Sequence, residues 1–114
     1  MEKEILKELP ACPVETTLTL ISDKWKVLIL RDLMLDTKRF GELKKSIGHV
    51  TQKVLTAQLR QMEESGLLTR KVYAEVPPRV EYTLTELGYS LKPILDAMWA
   101  WGEGYKSRLE GKAE

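Results

Sequence analysis

Cysteine and histidine are almost missing: among 114 residues, Cys12 and His49 stand alone. One thiol cannot close an internal disulfide, which excludes a disulfide-stapled scaffold. One Cys and one His cannot make a Cys/His zinc site, so no metal is expected. No stretch of about 18 apolar residues occurs, so no segment is expected to span a membrane. The first residues, Met1-Glu2-Lys3-Glu4, mix charges and lack an apolar signal core, so secretion is not expected. A glycine-rich phosphate loop and a nucleophile elbow are also lacking, so neither an enzyme nor a cofactor is expected. A redox enzyme built on Cys12 alone would lack a base and a cofactor motif. Charge of one sign is absent as well: 18 Lys and Arg face 17 Asp and Glu, a net charge of +1. At face value that balance argues against a strongly basic nucleic-acid binder.

What is present fits one domain with a real core, since 43% of the residues are apolar. Residues 1–12 are polar and mixed in charge and are expected to form a flexible arm before a single domain over 13–114. Pro13 suits the first position of a helix, where its missing N–H costs nothing. Val14, Leu18 and Ile21 follow at helical spacing. Ser22-Asp23 breaks the pattern and can cap a second helix. Trp25, Leu28, Ile29 and Leu33, with Leu35 at the edge, make that helix apolar over more than half its surface, as a central helix is. Asp36-Thr37-Lys38-Arg39 reads as a turn and cap. Phe40, Leu43 and Ile47 mark a short helix closed by Gly48. Thr51 caps the next, over about 51–65, with Leu55, Leu59 and Met62 as its apolar stripe.

The period then changes from helix to strand. Leu68–Tyr73 is one extended segment, and Val80, Tyr82 and Leu84 alternate with polar residues in a second. Pro77-Pro78 lies between them and cannot belong to a central strand. The simplest reading is an antiparallel hairpin over about 68–84 with a stiff tip. Thr85 caps a last helix over about 85–110, with a kink expected at Pro93 and a far end weakened by Gly102 and Gly104.

Two short helices joined by a tight turn, then a hairpin, is the winged helix-turn-helix order. The fold class expected is therefore mainly α with a small β-hairpin (α+β). In such a motif the second helix enters the major groove. Its back must be apolar and its front must carry donors and small groups. Stepping about 100° per residue from Leu55 places Leu59 and Met62 within about 40° of it. Lys53, Thr56, Ala57 and Arg60 fall on the opposite half, with Gln52 at the flank. No carboxylate interrupts that face before Glu63-Glu64.

Several stretches also resemble one family. They are Cys12-Pro13-Val14-Glu15, Asp23-Lys24-Trp25-Lys26-Val27-Leu28-Ile29-Leu30, Arg39-Phe40-Gly41-Glu42-Leu43, and Val54 through Glu63. Ser65-Gly66-Leu67 and Glu75 through Gly88 complete the set. In this order, from Cys12 to about Tyr105, the chain is similar to the HxlR-type winged-helix transcription regulators, relatives of the MarR group. The resemblance implies a homodimeric DNA-binding repressor or activator, bacterial or archaeal and cytoplasmic, whose first and last helices form the dimer.

Gln52, Lys53, Thr56 and Arg60 are the candidates for groove contacts. Arg60 suits guanine and Gln52 suits adenine. Thr51 can place backbone N–H groups near a phosphate. Lys38, Arg39, Lys44 and Lys45 would hold phosphates without reading sequence. Arg79, beside the double proline, has two readings: a contact to the DNA backbone or minor groove, or a salt bridge to Glu75 or Glu81. The partners expected are an operator duplex and a second copy of the chain, with a small-molecule or electrophile effector open. Val14, Leu18, Leu95, Met98, Trp99, Trp101 and Tyr105 are the expected dimer surface. Trp99 and Trp101, two apart on a helix, cannot share one core, so one should pack inside its own subunit and the other meet the partner.

Cys12 precedes a helix N-terminus, where the dipole favours thiolate. Some members of the family sense oxidants or electrophiles through a cysteine near this position, which makes Cys12 a candidate redox sensor. The other reading is a partly buried, unreactive thiol. The alternative function is a winged-helix protein-interaction module with no DNA site. Dividing the charge by segment speaks to that choice. Residues 38–71 hold eight basic and three acidic residues, and the remaining 80 hold ten and 14. The neutral total hides a basic segment placed where phosphate contacts are expected.

Overall fold

A computed structural model describes residues 6–113 of the chain. Residues 1–5 of the expected arm lie outside the described residues, and residues 6–8 are helical. Helix α1 (Pro13–Ile21) starts on its proline, with Cys12 extended at the N-cap. Helix α2 (Lys24–Leu33) starts at Asp23, whose Oδ1 accepts the Lys26 N–H at 3.0 Å. Ile29, Leu30 and Leu33 are sealed from solvent, as a central helix requires. Leu35 lies past the helix end and is 81% exposed.

The segment read as a turn is also a strand. β1 (Lys38–Arg39) pairs antiparallel with a later strand, setting Lys38 opposite Tyr82 and Arg39 opposite Glu81. Two residues are too few to show a period of two, and only the free edge of the hairpin makes them a strand. Helix α3 (Phe40–Ile47) follows at once, and the Arg39 backbone N–H donates to Glu42 Oε1 at 2.8 Å. Gly48 leaves it with a φ of 90°, a value glycine adopts without a Cβ penalty. Helix α4 (Gln52–Glu64) begins where Thr51 Oγ1 accepts the Val54 N–H at 3.1 Å.

β2 (Leu68–Tyr73) and β3 (Arg79–Leu84) form the expected hairpin, so the sheet has three strands in the order β1-β3-β2. Its register sorts the side chains. Leu68 and Leu84, then Arg70 and Tyr82, share the face turned to the core. Lys71 with Glu81, and Tyr73 with Arg79, share the other.

The single last helix of the sequence reading is two helices. Thr85 caps α5 (Glu86–Tyr89), and α6 (Lys92–Ala113) starts afresh after Ser90-Leu91. Pro93 therefore falls in the first turn of α6 rather than at a kink, where its missing N–H is one of those no helix uses. Gly102 and Gly104 do not end α6, which continues to Ala113. Gly88 is required where α5 crosses the link between α4 and β2, because a Cβ there would overlap the Leu67 carbonyl oxygen.

One cluster of buried side chains runs from Ile21 through α2, α3, α4 and the inner sheet face to Leu91. Leu55, Leu59 and Met62 place the back of α4 in this cluster. Burial of each stabilises the docking by about 1.5–3 kcal/mol.

Candidate nucleic-acid interface

With its apolar back fixed, α4 turns a defined front outward. Thr51, Gln52, Lys53, Thr56 and Arg60 are all exposed. The polar front and buried back are the two faces that the helical spacing assigns. Lys45 and Arg39 are exposed, while Lys38 and Lys44 are half-buried. Among the described residues, none of Lys38, Arg39, Lys44, Lys45, Lys53 and Arg60 makes an ion pair within 4.0 Å. Their charges are thus available to an outside anion.

Arg79 is held differently. Its guanidinium lies 3.5 Å from Glu75 Oε1 and 3.7 Å from Glu81 Oε2, and stacks 3.9 Å over the Tyr73 ring. Both carboxylates named in the salt-bridge reading face it. A cleft of about 240 Å³ opens at the edge of the contact between α4 and the inner sheet face, lined by Thr56, Arg60 and Glu63 on one side and Arg70 and Tyr82 on the other. Arg70 was counted in the basic segment without a role. The alternation Leu68, Arg70, Val72 would have put it on the face toward α4.

A polar connection from α2 to the flank of α4 leaves no mark in the spacing of either helix. Lys26, only 8% exposed, donates to Gln61 Oε1 at 2.8 Å and to Asp23 Oδ2 at 3.3 Å. Burial alone would raise the Asp23 carboxyl. The Lys26 N–H and ammonium, with the Gln58 side chain, outweigh it and hold the group below the ordinary carboxylate range. His49, in the turn before α4, packs its ring 5.3 Å from Trp25. That gives the lone histidine a structural neighbour.

These placements describe a helix-turn-helix with a wing. The family model for the HxlR-like helix-turn-helix matches residues 20–110. The chain belongs to the HxlR-like helix-turn-helix family. It is 48% identical to the uncharacterized HTH-type transcriptional regulator YdeP of Bacillus subtilis (strain 168), over 90% of this chain and 80% of that protein. It is 50% identical to an HTH-type transcriptional regulator of Methanothermobacter thermautotrophicus, over 90% and 79%. The redox regulator HypR in its reduced form superposes with a TM-score of 0.81 at 44% identity, covering 88% of this chain and 99% of HypR. As an HxlR-like protein the chain is a DNA-binding transcription regulator rather than an enzyme. Among the described residues, no helix is long and apolar enough to cross a membrane.

The surface expected for a dimer has one correction. α6 is anchored to its own body at its start: Leu91, just before the helix, is buried, and Leu95 is half-buried against the core. Beyond it, Met98, Trp99, Trp101 and Tyr105 are exposed, as are Val14 and Leu18 of α1. Neither tryptophan packs inside its own subunit: Trp99 is 68% and Trp101 72% exposed. Trp101 stacks on Tyr105 instead, with ring centroids 5.4 Å apart. Trp99 borders a groove with Val27 and Leu28 of α2 but is not enclosed by the core. Cys12 is exposed rather than partly buried, and its carbonyl accepts the Thr16 N–H at 3.0 Å.

Proposed function

We propose that this regulator binds a near-palindromic operator as a homodimer, with α4 of each subunit in a major groove. The observation that carries this is the front of α4. Its exposed amide, ammonium, hydroxyl and guanidinium are set on a helix docked by three buried side chains. Gln52, Lys53, Thr56 and Arg60 meet base edges, and Thr51, Lys38, Arg39, Lys44 and Lys45 meet phosphates. Arg79 reaches DNA only by exchanging Glu75 and Glu81 for it.

The exposed apolar side chains of α1 and α6 support pairing of two chains, since a lone soluble chain rarely displays so many together. A two-fold dimer puts its half-sites about one DNA turn, roughly 34–36 Å, apart. The exposed Cys12 lies at the start of α1, within that surface. Two Cys12 thiols, one per subunit, can join as a disulfide and give up two electrons and two protons to an oxidant such as diamide. A mixed disulfide with a small thiol is the other product open to a single cysteine. The likeness to HypR, a redox regulator, supports this use of Cys12.

The test is selection of duplexes from a random library, followed by titration of the winner with salt. A selected palindromic site bound at two subunits per duplex, more weakly as salt rises, is the expected result. Failure to enrich any duplex, with the folded protein intact, would instead leave a protein-interaction module.

A further inference from the structure

We propose that the cleft between α4 and the wing sheet seats one phosphodiester of the bound duplex, with Arg70 and Tyr82 as the donors. The inference rests on α4 lying in the major groove. A groove is walled by two sugar-phosphate backbones, so a sheet packed against a helix in it brings the mouth of the cleft between them toward one backbone. The cleft occupies that position, with Thr56 and Arg60 of α4 facing Arg70 and Tyr82 of the sheet.

The chemistry fits an anion. Arg70 is exposed and, among the described residues, makes no ion pair within 4.0 Å. A guanidinium presents paired N–H donors at the spacing of phosphate oxygens. Tyr82, directly opposite Arg70 in the register, is 7% exposed. No side-chain hydrogen bond of its hydroxyl occurs among the described residues, and the residue lines the cleft. A tyrosine with its ring in the core and its hydroxyl unpartnered holds a donor at a fixed point. Arg60 closes the helix side and adds positive potential while remaining free to reach the adjacent base. Glu63 also lines the cleft and opposes the anion, which limits the grip on DNA of any sequence.

The opposite sheet face shows why the seat is here rather than at the wing tip. Arg79 lies on that face between Glu75 and Glu81 and against Tyr73, so its charge is already matched. Arg70 is the wing's uncommitted guanidinium.

The experiment compares the full-length wild type with Arg70→Gln, Tyr82→Phe and Glu63→Gln. Fluorescence anisotropy is read on a library-selected duplex and on a random-sequence duplex across a salt series. Arg70→Gln is expected to weaken both duplexes about tenfold and to lower the salt slope by about one. Tyr82→Phe keeps the core packing and should weaken both about threefold with the slope unchanged, because a neutral donor is lost. Glu63→Gln should tighten both about twofold, a gain that misfolding cannot imitate. Unchanged affinity and slope in Arg70→Gln overturn the seat. A loss confined to the selected duplex also overturns it, since Arg70 would then read a base. If wild type binds the selected duplex and only these variants fail to respond, the groove placement of α4 stands without the seat. If wild type binds neither duplex, both fall.

Discussion

The Lys26 ammonium on α2 donates to Gln61 Oε1 on α4 at 2.8 Å, a polar link from a nearly buried lysine to an exposed residue on the flank of α4. The same ammonium meets Asp23 Oδ2 at 3.3 Å, and Asp23 caps α2. A nearly buried cation survives only when its donors are satisfied, so this pair fixes α4 against sliding on its apolar stripe. Lys26→Met should therefore cost about 1–3 kcal/mol, because Gln61 and Asp23 lose their partner. A urea midpoint unchanged from wild type would remove the link.

Asp23 carries a pH consequence. Its carboxyl titrates lower in the fold than in the unfolded chain, so ionisation favours folding. That contribution is complete above the unfolded value of about 4. It is lost as pH falls through the lower folded value. Asp23→Asn keeps a capping oxygen and removes the charge. The variant should be less stable than wild type at neutral pH, with the gap closing below about pH 4. A gap that stays constant down to strong acid is the contrary result.

The proposed binding mode divides reading, by Arg60, from holding, by Lys45. Arg60→Ala should lose more affinity for the selected duplex than for random DNA. Lys45→Ala should weaken both alike and reduce the salt slope by about one. Equal losses with unchanged slopes would end that division.

The outer face of α6 predicts the assembly. Trp99 and Trp101 are both exposed, so replacing either by Glu adds no buried charge within the subunit. Each variant should keep its fold and sediment as a monomer at micromolar concentration, where wild type sediments as a dimer. A wild-type protein of monomer mass across that range would refute the paired surface.

Cys12→Ser tests the thiol. Diamide should change the DNA affinity of wild type and leave the variant unaffected. A diamide response that persists in Cys12→Ser assigns the effect elsewhere.

Local order was open to the sequence. Pro13, Asp23, Thr51 and Gly48 punctuate the helices where expected, because capping and turn preferences act over three or four residues. Leu55, Leu59 and Met62 likewise announced the buried side of α4, and so the exposed side, through a period of 3.6. The tertiary structure alone decided what depends on distant partners. Lys38-Arg39 became a strand because Tyr82 and Glu81 lay alongside. Lys26 found Gln61 35 positions away, and Arg79 was drawn to two carboxylates while Arg70 stayed free. Both tryptophans stayed exposed because the core closes without them, Trp99 only bordering a groove on α2. Periodicity records which side of an element is apolar, but only packing settles what that side meets.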